Sequence, residues 1–238
     1  MDFFYALERH NNLCAIRNKR DYVIFLSEVL KVALVSSVFT SSRRLEEGCE
    51  FVKIDGEDNR LSVHTLRQIQ SVGIPSLNFS HNGDGDPLSI TFKGENIDSI
   101  FFSFIIKLAN LQNNLLISDM ENTLANCAAE YTPDVNPKLA EDFLVCLYEN
   151  DASYFRQDHD PERADGTIHP LKHLDIFYSD RSSVKYGTNS MLDHSDLSSM
   201  VSKKTPAYYL PPRNSANCTE QKASQLRFSV LFYGDLTP

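Results

Sequence analysis

Tyr154-Phe-Arg-Gln-Asp-His-Asp-Pro161, a Gly-containing loop, His169-Pro-Leu-Lys-His-Leu-Asp-Ile-Phe-Tyr178, a turn and Val184-Lys-Tyr186 read as two or three antiparallel strands. This stretch decides the fold, because it converts a helical first half into a β-rich second half. Strand alternation puts Tyr154, Arg156 and Asp158 on one face of the first strand, and His173, Asp175 and Phe177 on one face of the return strand. Pairing the two places Arg156 and Asp158 near His173 and Asp175. His159, Asp160 and His169 from the connecting loop then close over them. Three of the seven histidines fall in this span.

Working outward, Asp21–Thr40 reads as a helix, with Tyr22, Phe25, Leu26, Val29, Leu30 and Ala33 at helical spacing. Phe51–Ile54 reads as a short strand. A second helix is expected from Ser62 to Gly73, with Leu61 and Leu66 as a hydrophobic staple. Leu77 and Phe79, then Leu88, Ile90 and Phe92, flank Asn82-Gly-Asp-Gly-Asp-Pro87 and predict a hairpin. Ile97–Leu108 predicts a third helix and Ser118–Tyr131 a fourth. Asn136 and Pro137 suit the N-cap and first turn of a fifth, carrying Leu139, Phe143, Cys146 and Leu147. A short helix near Asp193–Val201, a Pro-rich loop and a last strand, Arg227–Tyr233, complete the chain. The expectation is an α+β domain over 1–238, its helical N-terminal half packed on a mainly antiparallel sheet formed by the C-terminal half. A subdivision falls at 135/136.

The chain has 238 residues, a net charge of −9, 42% hydrophobic residues, 15 Phe and 10 Tyr, enough to bury a core. The acidic balance disfavours a long polyanion as a partner of the whole surface, so nucleic acid would need a local patch or a protein partner. Five cysteines with no close pair, Cys14, Cys49, Cys127, Cys146 and Cys218, suit free thiols in a cytoplasmic setting. No basic leader or sufficiently long apolar run points to secretion or a membrane. Asn82, Asp84 and Asp86, like Asp55, Glu57 and Asn59, have the alternating oxygens of a calcium loop. Both lack its Gly and Glu, and they read as polar turns. His194-Ser195-Asp196 reads as a helix start and not a triad.

The chemistry therefore concentrates between Arg156 and Asp175. Asp158, Asp160, His169 and His173 are the candidate catalytic residues, with Arg156 and Asp175 as binding residues. His159, His169 and His173 are candidate ligands of a divalent metal, since imidazole and carboxylate suit zinc, manganese or iron. A metal there would activate water against a phosphodiester, and a carboxylate-oriented histidine would act as a general base without one. The plainer reading is a cross-strand ion pair of Arg156 with Asp158 or Asp175.

Phe155, Arg156, Asp158 and Asp160, followed by His169, Pro170, His173 and Leu174, resemble the signature of an uncharacterised bacterial family. Its members show a charged strand, a loop and His-Pro-x-x-His-Leu, and are often encoded among anti-phage defence genes. A related arrangement resembles some toxin proteins of toxin–antitoxin pairs. The resemblance implies a defence context and no particular reaction. Two functions are carried forward. One is an accessory subunit that binds a protein partner such as an ATPase or nuclease. The other is a metal-assisted or His-dependent phosphodiesterase or nuclease.

Overall fold

The computed structural model describes residues 1–7, 16–42, 45, 49–111, 135–150, 153–165, 168–176 and 184–192. Its largest element is a seven-stranded antiparallel sheet. In spatial order it contains β1 (Asp2–Ala6), β2 (Phe51–Asp55), β3 (Arg60–His64), β4 (Gln68–Gly73), β8 (Phe155–His159), β9 (Lys172–Ile176) and β10 (Val184–Gly187). A smaller sheet contains β5 (Asn78–Ser80), β6 (Ser89–Phe92) and β7 (Glu95–Ile97). Helices α1 (Lys19–Ala33), α2 (Ser99–Leu111) and α3 (Pro137–Glu149) share one hydrophobic core with both sheets. The architecture is α+β, with N-terminal helices packed on an antiparallel sheet. The sheet is not confined to the C-terminal half, however. β4 pairs with β8 from Gln68↔Asp158 to Ser71↔Phe155, so strands from either side of position 135 lie in one sheet.

Register explains the core. Phe3 and Tyr5 face Ile54 and Val52 across β1–β2, these face Leu61 and Val63, and Leu61 faces Val72. Residues directly opposite in an antiparallel ladder share a face, so these side chains form one apolar surface under the helices. On α1 the buried Tyr22, Phe25, Leu26, Val29, Leu30 and Ala33 supply the matching stripe. Two tyrosines fasten the layers: Tyr5 donates to the Val29 carbonyl at 2.7 Å and Tyr22 to the Gly73 carbonyl at 2.9 Å.

Several expectations need revision. The helix expected through Thr40 stops at Ala33, because Phe39 exchanges two 2.8 Å backbone hydrogen bonds with Phe4. A β-prone Val38-Phe39-Thr40 segment is better satisfied beside a strand than in another helical turn. The helix expected over 62–73 is the β3–β4 hairpin. Val63, Ile69 and Val72 are β-branched and alternate between faces, and Thr65 Oγ1 closes the turn by accepting the Gln68 N–H at 3.0 Å. Leu66 is 78% exposed at that turn and staples nothing. β1 and β7 are additional strands. β7 follows a tight Lys93-Gly94 turn with φ +51° and +84°, the backbone that a two-residue hairpin requires.

Other expectations hold. The 79/90 hairpin forms with Phe79 opposite Ile90. Asn136 caps α3 by accepting from Lys138 and Leu139, with Pro137 in the first turn. Asp55 accepts the N–H groups of Glu57 and Asp58, and Asp84 accepts from Thr40, as polar turns do. Cys146 is a free thiol. No described helix is long and apolar enough to cross a membrane. The elements expected at 118–131, 193–201 and 227–233 lie outside the described residues.

Phe143 of α3 is fully buried, with its ring 5.2, 5.5 and 6.0 Å from those of Phe92, Phe101 and Phe102. It joins α3 to both α2 and the small sheet. Phe143→Ala is expected to cost about 3–5 kcal/mol and Phe143→Leu distinctly less, measured by urea denaturation.

Candidate metal centre and its cleft

β8 is the strand on which the sheet changes character. The face that carries Val72 and Leu61 under the helices continues through Gln70 to Arg156 and Asp158. It then runs on to Asp175 and His173 of β9. The opposite face changes in the reverse sense. There Ile69, Phe155 and Leu174 are buried together, with Ile176, Tyr186 and Leu192 packed against them. Period-two alternation along two short strands thus puts an apolar cluster on one side and a charged one on the other.

The pairing read from the sequence is the one observed: Arg156 lies opposite Asp175 and Asp158 opposite His173. The Arg156 guanidinium bridges the two acids, with Nε 2.8 Å from Asp158 Oδ2 and Nη2 2.8 Å from Asp175 Oδ2. The plainer reading of Arg156 as a cross-strand ion-pair residue is therefore correct. His173 is fully buried, and its Nε2 lies 3.4 Å from Asp158 Oδ2 and 3.8 Å from Asp175 Oδ2. Its Nδ1 is 2.9 Å from the Pro170 carbonyl. A carbonyl can only accept, so Nδ1 carries the proton. In the neutral ring Nε2 then presents its lone pair to the carboxylates. Gln68 fixes the other Asp158 oxygen, donating to Oδ1 at 2.9 Å.

One ligand atom from each of Asp158, His173 and Asp175 lies within 4.8 Å of the others. Arg156 offsets one of the two carboxylate charges, beside the imidazole of His173. Oxygen and imidazole donors so grouped can hold a divalent metal. The Nδ1–H···O=C bond is the outer-shell contact that usually orients a ligating histidine.

The loop residues form a second tier. His169 meets His173 edge to face, with ring centres 4.5 Å apart, and its Nε2 lies 3.2 Å from Asp160 Oδ2. Partial burial pushes the Asp160 carboxyl up. The Arg163 N–H and guanidinium and the His169 ring outweigh this and hold it below the usual range. Of the three histidines expected as ligands, only His173 belongs to the metal-capable group; Asp158 and Asp175 complete it. His169 stands next to it, and His159, at the end of β8, lines the adjoining cleft without belonging to the group. His169 and His173 do not share a helix, since Pro170 breaks the backbone and His173 lies in β9.

Asp158 alone of the three metal-capable residues lines the adjoining cleft of about 600 Å³, together with Arg17, Arg67, Arg163, Asp160 and His169 among others. In the sequence Arg17 reads, with Lys19 and Arg20, as a short basic cluster on a solvated surface, and nothing ties it or Arg67 to the site, because both are remote from 156–175 and adjoin it only through the fold. Gln157 was also missed. It is fully buried on the opposite face and anchors the following segment, donating to the Ser190 carbonyl at 3.1 Å and accepting from Leu192 N–H at 2.8 Å. A buried glutamine between charged neighbours has no sequence signal of its own.

Removing Arg156 leaves two poorly hydrated carboxylates face to face. Arg156→Leu is expected to cost about 3–5 kcal/mol at neutral pH in urea denaturation. Tyr154, buried beside Arg156, has its hydroxyl pushed up to about 12 by that burial. Because the folded state holds this proton more tightly, Tyr154's contribution to stability is complete below about pH 10 and is lost as the pH rises through its folded value. Tyr154→Phe is expected to flatten the alkaline arm of a stability-versus-pH curve, read by chemical denaturation at a series of pH values.

Comparison with known proteins finds no family model, no curated protein and no solved structure that matches this chain. The resemblance to a defence-associated family rests on residues 155–174 alone.

Proposed function

We propose that the chain is a metal-assisted hydrolase acting on phosphate ester bonds, with its centre at Asp158, His173 and Asp175. The observation that carries this reading is the convergence of His173 Nε2 with two carboxylates, one of which, Asp158, lines a solvent-reached cleft. A divalent ion there would polarise a phosphoryl oxygen and bring the pKa of a bound water toward about 7.

His169 is placed to work as the general base. Asp160 is ionised at neutral pH and accepts the Nε2–H of His169, which leaves the Nδ1 lone pair to take a proton from water. The oxygen of that water forms the new P–O bond, the ester P–O bond breaks, and the leaving oxygen takes a proton. Arg156 keeps both carboxylates aligned and is a positioning residue. The alternative, an accessory subunit with a protein partner, draws on the acidic charge, the aromatic content and the resemblance. The geometry of the cleft adds nothing to it.

Elemental analysis of the purified protein, beside hydrolysis of bis(p-nitrophenyl) phosphate, tests the proposal. Wild type is expected to carry stoichiometric metal, and His173→Ala to lose it. His169→Ala is expected to keep the metal and lose about 10²–10⁴ in kcat. A wild type that takes up no metal, with folded His169→Ala and His173→Ala variants as active as wild type, would falsify the assignment.

A further inference from the structure

We infer that the cleft takes a small phosphate ester, about the size of a mononucleotide, and not a nucleic-acid strand. This rests on the hydrolase reading and names its substrate class.

Besides Arg156, three arginines line the cleft, from three separate parts of the chain. Arg17 precedes α1, Arg67 lies in the β3–β4 turn and Arg163 in the β8–β9 loop. The backbone holds each of these segments. Arg17 N–H donates to Asp21 at 3.0 Å, the Arg67 carbonyl accepts from His159 N–H at 2.8 Å, and Arg163 N–H donates to Asp160 at 3.3 Å. Their ion pairs are loose. Arg67 stands 3.9 Å from Glu162, Arg163 stands 3.5 Å from Asp160, and the Arg17 side chain makes no ion pair among the described residues. Exposed pairs at such distances contribute little, so a phosphate can replace the acids. Planar guanidinium groups bind phosphate oxygens in pairs.

This concentration of arginine stands out in a chain with 23 basic and 32 acidic residues. A strand of nucleic acid needs a basic track many phosphates long, and its further phosphates would meet an acidic surface. A single phosphate needs only the cleft. Its volume, about 600 Å³, lies within the range of pockets that enclose small ligands. The ester bond of a phosphate seated there would face Asp158 and His169, which line the same cleft.

The test is calorimetric titration of the full chain in EDTA, with AMP as the probe, inorganic phosphate as competitor and a single-stranded oligonucleotide as comparison. AMP is expected to bind wild type and to be displaced by phosphate. Arg17→Ala/Arg67→Ala is expected to weaken AMP at least about tenfold while retaining the wild-type unfolding midpoint, since both side chains are at the surface. Arg17→Lys/Arg67→Lys should recover part of the loss. The inference is overturned if AMP fails to bind wild type, if it binds the alanine variant equally well, or if the oligonucleotide binds more tightly than AMP. Because EDTA removes metal and turnover, AMP binding by a protein that takes up no metal would defeat the hydrolase reading alone. Metal uptake without AMP binding would defeat this inference alone.

Discussion

The Arg156 guanidinium spans one oxygen of Asp158 and one of Asp175, both at 2.8 Å, and the charged end of the sheet depends on it. Two carboxylates this poorly hydrated are tolerated only with a cation and several hydrogen bonds. A guanidinium suits the task because it stays charged at any working pH and its planar fork reaches both strands at once. Burial pushes Arg156 toward losing its proton, and Tyr154, Asp158 and Asp175 more than reverse that push. Around this fixed pair, Gln68 fastens the second oxygen of Asp158, and the Pro170 carbonyl sets the ring of His173. The centre is therefore held by groups that are not themselves ligands, which gives a site its precision.

What could be read in advance follows the range of the interactions. Asn136 and Pro137 announce α3 because capping involves neighbours within one turn. The 156/175 and 158/173 pairings are legible because β8 and β9 are consecutive strands and alternation puts the charged residues of each on one face. The β3–β4 hairpin reads as a helix because Leu61 and Leu66 have the spacing of a hydrophobic staple and Gly73 stands where a helix would stop. The deciding fact, that β3 lies between β2 and β4 in a wide sheet, is not local. β1 escaped notice for the same reason, since its partner β2 begins some 45 residues later in the chain. In the centre itself, Arg156, Asp158, His173 and Asp175 were legible together. Arg17 and Arg67 could not be, because only the β4–β8 pairing and the approach of α1 bring them alongside.

The site lies where the helix-side face of the sheet changes from apolar to charged. Over β1 to β3 the helix-side face is apolar and buried, β4 adds Gln68 and Gln70 to it, and over β8 and β9 the same face carries ions. Polar groups can be afforded there because the other face keeps its own small core of Ile69, Phe155 and Leu174. The two functions of the sheet, holding the fold together and presenting chemistry, are thus divided between faces and not between domains.

The bridge between Phe4 and Phe39 has a consequence at the other end of the sheet. A bare outer strand offers alternating N–H and C=O groups to any extended chain that drifts past, and so invites intermolecular sheet growth. The pair of 2.8 Å hydrogen bonds between Phe4 and Phe39 occupies both backbone groups at the middle of β1. The loop around Asp84 and Gly85 pins the 38–40 segment in turn, through Gly85 N–H to the Val38 carbonyl and Asp84 to Thr40. The early end of α1 thereby supplies a guard against self-association along that margin.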